Sequence, residues 1–476
     1  MIWREPQNHL NDCYFCAVKI AGLNHKKRRS VNYPSLPSAI RPVPHSEDLP
    51  VPALRSEHND QESDNDIPEE HDDRVECDPD FVEESTPVKF TQGELNDLVR
   101  DLGLSKEAAE LLASRLNEKH LLTTDSNVTF YRNRDTEFAP FFAESDDFVY
   151  CIDPKNVLLT LGLPLYNPIE WRLFLDSSKR SLKAVLLNNT NVYAPIPIGH
   201  STVLKEQYDA IKLVLERIQY SEHQWLICVD LKMVNFLLGQ QSGYTKHPCF
   251  LCMWDSRAKV EHYIRRDWGG RELKVGEKNV INEALVPRDK IIFPPLHIKL
   301  GLIKQFVKAL DKNGDCFKYI CNAFPGLSDE KLKAGVFNGP DIRKLVKDPD
   351  FVNSMNDVEK RTWCAFVAVV KNFLGNNRAA NYSDLVEELL NCFHEIGANM
   401  SIKVHYLHSH LDNFPDNCGD YSDEQGERFH QDLKVMEDRY QGRWDKRMMA
   451  DYCWSIKRDV DNAPHQRKSR KRTFKP

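Results

Sequence analysis

From Trp171 to Asp230 the chain sets out an order of elements that few folds accept. Trp171-Arg-Leu-Phe-Leu-Asp176 reads as a buried strand, Leu182 to Leu187 as a second, and Val192 to Ile198 as a short third limited by its prolines. Leu204, Tyr208, Ile211, Val214, Leu215 and Ile218 then recur at helical spacing, and Trp225-Leu-Ile-Cys-Val-Asp230 follows as an apolar strand ending on a carboxylate. Three strands, a helix and a fourth strand predict an α/β domain built on a mixed sheet.

That order is the opening of an RNase H-like domain, where the first and fourth strands run side by side at the centre of the sheet. Asp176 closes the first and Asp230, 54 positions later, closes the fourth. The two carboxylates then converge at one sheet edge, where a hard divalent cation could bridge them. Either aspartate alone is equally well a turn residue; the ordered pair is what points to a site. A third carboxylate is expected from a late helix. Ser422-Asp-Glu-Gln425 reads as a capping box, with Phe429, Leu433, Met436 and Tyr440 on one stripe and Glu424, Glu427, Gln431, Lys434 and Asp438 on the other. Glu427 is preferred to Glu424 because it lies a turn inside the helix, although such a stripe can also simply face water.

Charge is unevenly placed along the chain. The 476 residues carry −7 in total, but Ser46 to Ser85 hold 16 acidic residues against Arg55 and Arg74, a local charge of −14, so the rest sums to +7. This stretch, with prolines 34, 37, 42 and 44 before it and 50 and 52 at its start, reads as a disordered Pro-rich and acidic linker over 31–90. Basic clusters flank it at Lys26-Lys27-Arg28-Arg29 and in a tail over 461–476 with Arg467, Lys468, Arg470, Lys471 and Arg472. Such runs suit nuclear import or phosphate contact, and equally a solvated tail. Residues 1–30 contain Cys13-Tyr-Phe-Cys16 between His9 and His25, a zinc-binding remnant or two unrelated thiols. A capping box at Thr91-Gln-Gly-Glu94 opens a helical hairpin over 91–125, either a DNA-contacting remnant or a packing element.

The chain has no apolar run near the roughly 20 residues of a membrane helix. Its first residues show no secretory signal, so the thirteen cysteines are expected as thiols or metal ligands. It also lacks GxxxxGK[ST], GxGxxG and GxSxG patterns, which removes support for nucleotide hydrolysis, dinucleotide chemistry and serine hydrolase chemistry.

Asp176, Asp230, Cys249-Phe-Leu-Cys252, His297 and Glu427, in that order, resemble the catalytic core of eukaryotic cut-and-paste DDE transposases. The stretches Val229-Asp-Leu-Lys232 and Gly426-Glu-Arg-Phe-His430 resemble transposon-derived proteins of invertebrate genomes. The resemblance covers about residues 165 to 445. It implies an RNase H-like mixed sheet in two parts, 165–256 and 422–460, interrupted by a large all-α insertion over 257–421. It implies that Asp176, Asp230 and Glu427 hold Mg²⁺ (or Mn²⁺) for attack on a phosphodiester. It implies structural Zn²⁺ on Cys249, Cys252 and His297, with a fourth ligand from His247, His408 or His410; a metal-free pair of thiols is the alternative.

The partner implied is DNA, contacted by Lys232, Arg428, Lys434 and the basic tail, in the nucleus, with no membrane and with a homodimer left open. The competing expectation is a catalytically inactive, transposon-derived DNA-binding or scaffold protein. A zinc-bound interaction protein unrelated to nucleic acid is a third.

Overall fold

The computed structural model describes residues 88–163, 165–177, 181–441 and 445–460, together with Asp12 and Leu36; the side chains of Glu427 and Arg428 fall outside that description. The expectations for Cys13, Cys16, the linker up to residue 87 and the tail with Arg467, Lys468, Arg470, Lys471 and Arg472 therefore lie outside the described residues. The chain divides into two units, Met1–Glu83 and Glu84–Pro476, and the described strands and helices belong to the second.

The second unit is centred on a seven-stranded mixed sheet of β1 (Phe142–Ser145), β2 (Phe148–Cys151), β3 (Trp171–Ser177), β4 (Leu182–Asn188), β5 (Ile196–Ser201), β6 (Leu226–Val229) and β7 (Ile291–Ile292), in the order β1-β2-β5-β4-β3-β6-β7. The strands β3, β4 and β5 form an antiparallel meander, while β6 and β7 are parallel to β3. Both parallel strands follow crossovers. Helix α3 (Pro154–Thr160) follows β2, helices α4 (Tyr208–Arg217) and α5 (Tyr220–His223) lead into β6, and α6 (Leu231–Leu237) follows it. Near-continuous apolar runs in β3 and β4 match strands covered on both faces, and every residue of β4 is buried.

Three sequence expectations shift. The third strand starts at Ile196 rather than Val192, because the chain first turns through Asn191 with φ +55° and passes Pro195. The hairpin of β1 and β2 pairs along β5 and was not foreseen. The segment 257–421 is not all helical: β7 lies inside it and pairs with β6 at the sheet edge.

Helices dominate from Pro295 onward. The long α7 (Pro295–Ala309) is followed by α8 (Asp315–Ala323), α9 (Asp329–Lys333), α10 (Gly339–Val346), α11 (Pro349–Asn353), α12 (Asp357–Asn372), α13 (Tyr382–Glu395) and α14 (Ile402–Ser409). Buried Ile303, Phe306, Val307, Trp363, Phe366, Leu389 and Phe393 continue the apolar core through this layer. Then α15 (Glu424–Arg439) crosses back onto the sheet, and α16 (Lys446–Ile456) closes the unit. Among the described residues no helix is long and apolar enough to cross a membrane.

The helical hairpin forms as α1 (Gln92–Leu102) and α2 (Lys106–Glu118), and Thr91 and Glu94 make the expected capping box. Its buried face is more polar than periodicity alone suggests: Asn96, Asp97 and Arg100 are covered, whereas Leu102 is 47% exposed. Asn96 and Asp97 bond to Asp459, just past α16, and Arg100 Nε donates to Trp454 O within it. The Arg100 and Arg134 guanidiniums lie 4.3 and 4.5 Å from the ring centroid of Trp454, and Arg134 Nε donates to Asp451 Oδ1 at 2.7 Å. The hairpin is thereby tied into the same core as the sheet.

Candidate metal centre and carboxylate site

The register of the central parallel pair sets the carboxylates. Leu175 of β3 pairs with Val229 of β6, so the next residues, Asp176 and Asp230, emerge side by side at the C-terminal ends of adjacent strands. Asp230 also caps α6, its Oδ1 accepting from Met233 N at 2.7 Å. One carboxylate thus fixes both the strand end and the helix start. On the neighbouring antiparallel strand the partner of Asp176 is Lys183, whose side chain is only 8% exposed.

The late helix is steered onto these residues by β3 itself. Arg172, Phe174 and Asp176 share one face of the strand, two residues apart. Arg172 Nη2 donates to Ser422 O at 2.8 Å, Gly426 packs on Phe174, and His430 Nε2 stands 2.8 Å from Asp176 Oδ2. Two strand residues advance about 6.6 Å and four helical residues about 6 Å, so the two elements stay in step side by side. The backbone of Glu427 falls within the turn between the contacts at 426 and 430.

The expected capping box does not form at this helix start. Ser422 Oγ accepts from Glu424 N at 3.2 Å, while Asp423 makes no side-chain cap. Instead Asp423 is fully buried, its Oδ1 accepting from Leu296 N at 2.9 Å and its Oδ2 lying 3.3 Å from His297 Nε2. Glu424 faces outward toward Lys299 at 3.8 Å and Arg343 at 3.5 Å. Lys403 of α14 completes the surroundings. Its stem lies over Gly301 of α7, where any Cβ would meet Lys403 Cδ at 2.2 Å, and burial pushes its amine down to about 8 against the pull of Asp230 and Asp423. Lys403 and Asp423 were not expected as members of this neighbourhood.

A separate centre gathers the cysteines. Cys249, Cys252, His405 and His410 bring four ligand atoms within 4.8 Å of one another, and this group can hold a metal ion such as zinc. Cys252 Sγ lies 3.3 Å from His405 Nε2 and 3.2 Å from His410 Nε2, and Cys249 Sγ lies 3.4 Å from His410 Nε2. Tetrahedral zinc with Zn–S near 2.3 Å and Zn–N near 2.0 Å asks for ligand separations of about 3.5 Å, so the spacing fits.

The pair of thiols is electrostatically divided. A hydrogen bond from Cys249 and contacts from His405 and His410 pull the Cys252 thiol down, while burial and Cys252 push Cys249 up. The loop is held by Leu251 N donating to Cys249 Sγ at 3.4 Å and by Arg271 donating to Cys249 O at 2.6 Å. The ring of His405 stacks on Trp254 at 4.5 Å.

His297 is not part of this centre. It sits at the start of α7 against Asp423, and its expected place is taken by His405. Of the three histidines considered for the fourth position, His410 is at the cluster. His247 Nδ1 faces the carbonyls of Met253 and Trp254, and His408 Nδ1 faces Ser409 Oγ. Among the expected phosphate contacts, Lys434 is exposed on α15, and Lys232 is exposed but paired with Glu206.

Two family profiles match the chain. Residues 130–286 match a family described as a domain of unknown function (DUF8703), and residues 295–375 match a second, also a domain of unknown function (DUF8704). The first takes in Asp176, Asp230, Cys249 and Cys252; neither reaches His405, His410, Asp423 or Glu427. No curated protein matches the chain.

Proposed function

We propose that residues 165 to 445 form an RNase H-like core of the DDE transposase type, which cleaves and joins DNA phosphodiester bonds with the help of divalent cations. The observation that carries this is the Leu175–Val229 pairing, which puts Asp176 and Asp230 next to each other at the ends of parallel strands. The strand order β5-β4-β3-β6-β7 supports the same reading, as does α15, which brings the backbone of Glu427 alongside Asp176.

Carboxylate oxygens are the donors that Mg²⁺ or Mn²⁺ prefers, so the residues present suit such ions. Asp176, Asp230 and Glu427 would hold them, and the ions would supply activation of water or a 3′-hydroxyl and stabilisation of the leaving oxygen. The chain's own part is to fix the carboxylates on rigid elements. Lys232, Lys434 and Arg428 are the proposed phosphate contacts, and the basic tail adds non-specific attraction in the nucleus. The Cys₂His₂ centre would carry zinc in a structural role, pinning the loop that follows α6 to α14.

A second reading is favoured by one feature. Protein groups already stand against the carboxylates, His430 at Asp176 and His297 at Asp423, as in a structural polar cluster. The chain would then be a catalytically inactive, transposon-derived DNA-binding or scaffold protein.

Nicking of supercoiled plasmid in Mg²⁺ or Mn²⁺ separates the two. Native protein is expected to nick, and Asp230→Ala and Glu427→Ala, checked for folding and zinc content, are expected not to. Salt-sensitive binding by all three without nicking would establish the inactive alternative.

A further inference from the structure

Asp176 is reached by a short chain of polar contacts that metal binding alone does not require. His430 Nδ1 lies 3.0 Å from Lys183 Nζ, and His430 Nε2 lies 2.8 Å from Asp176 Oδ2. Lys183 is itself held inside: it is the cross-strand partner of Asp176, its side chain is 8% exposed, and Glu437 Oε1 of the same helix as His430 stands 4.0 Å from its ammonium. Three elements, β3, β4 and α15, therefore meet through one imidazole.

The chemistry of the contact fixes the ring. An ammonium offers donors only, so the nitrogen that Lys183 addresses must accept, and the imidazole's single hydrogen falls on Nε2, the atom beside Asp176. The 2.8 Å approach does not meet hydrogen-bond geometry, so it acts through proximity and polarity. It still ties one carboxylate oxygen of Asp176 to a helix that is locked onto the strand at Arg172 and Phe174.

We propose that His430, with its tautomer set by Lys183, is a positioning residue that orients the carboxylate of Asp176 for a divalent cation. This rests on the reading of Asp176 and Asp230 as a cation site. An outer partner that orients a ligand typically changes metal affinity about 10- to 100-fold when removed.

The test is Mn²⁺ titration of zinc-loaded full-length protein, followed by electron paramagnetic resonance, with thermal melting alongside. Asp230→Ala, His430→Leu and His430→Gln are compared with the native chain. Leucine should weaken Mn²⁺ binding about tenfold or more while the melting temperature holds, and glutamine, whose amide N–H replaces the Nε2 hydrogen, should restore most of it. If Asp230→Ala abolishes binding but His430→Leu binds as the native chain does, the positioning role fails and the cation site stands. If leucine and glutamine weaken binding alike, or binding falls only together with the melting temperature, His430 is structural and the proposal is overturned. If native protein and Asp230→Ala bind Mn²⁺ equally, or neither binds, the cation site itself fails and takes the proposal with it.

Discussion

Gly426 of α15 and Phe174 of β3 touch so closely that there is no room for a side chain between them. A Cβ at position 426 would sit 2.6 Å from Cδ1 and Cε1 of the ring. Because β3 carries Asp176 and α15 carries Glu427 and His430, this contact sets the spacing of the candidate site as well as the packing of the helix.

Gly426→Ala is therefore expected to do two things. Overpacking at a buried contact typically costs about 1–3 kcal/mol, with a further small gain from the higher helix propensity of alanine partly offsetting it. The rest is displacement of α15 from the strand. Urea denaturation should show the loss of stability, and plasmid nicking should fall by more than the stability change accounts for, since folded protein would hold Glu427 away from Asp176. Wild-type nicking by a folded Gly426→Ala variant would mean that the helix and strand do not set the site.

Zinc content distinguishes the two histidines that compete for the third ligand position. Native protein is expected to carry one zinc at the Cys₂His₂ centre, His405→Ala and Cys252→Ala to lose it, and His297→Ala to keep it, by elemental analysis of purified protein. Because a structural zinc contributes its binding free energy to folding, the variants that lose it should also melt at lower temperature, as should native protein after chelation. Loss of zinc from His297→Ala with retention in His405→Ala would reverse the assignment made from geometry.

The sequence made the central strands legible because β3, β4 and β6 are apolar runs bounded by polar residues, and strand order alone brought Asp176 and Asp230 together. Their flanks were harder. The strand β7 is two residues, Ile291–Ile292, and β1 is Phe-Ala-Glu-Ser, too short and too mixed for any period to register. The Cys₂His₂ cluster was partly legible: His405 and His410 have the H-x₄-H spacing that commonly completes a C-x₂-C pair, yet resemblance directed attention to His297. Asp423 read as an inner residue of a capping box. Its burial depends on Leu296, 127 positions away, and that of Arg172 on Ser422, 250 positions away, contacts that no local pattern encodes. The same holds for Arg100 and Arg134, whose guanidiniums lie over Trp454, and for Asp451, which pairs with Arg134, 317 positions away.

His200 gives the fold an acid-sensitive point. It lies on β5, 1% exposed, opposite Lys183 of β4, and burial, reinforced by that ammonium, pushes its imidazole down to about 3. Above the ordinary histidine range near 6.5 both folded and unfolded chains hold it neutral, so it contributes no pH dependence there. Below that value the unfolded chain takes up a proton that the folded chain refuses until about pH 3, so stability falls as pH falls. The slope from this one residue is at most about 1.4 kcal/mol per pH unit. His408, pushed down to about 4 by burial, adds to the effect in the same direction. Denaturant unfolding at several pH values between 7.5 and 5.0, with zinc retention verified at each, should give steadily lower stability below about pH 6.5. In His200→Gln the slope should be shallower by close to one proton, whatever the substitution does to stability at neutral pH. An unchanged slope in that variant would show that His200 takes up its proton without unfolding, and so that its surroundings admit a charge beside Lys183.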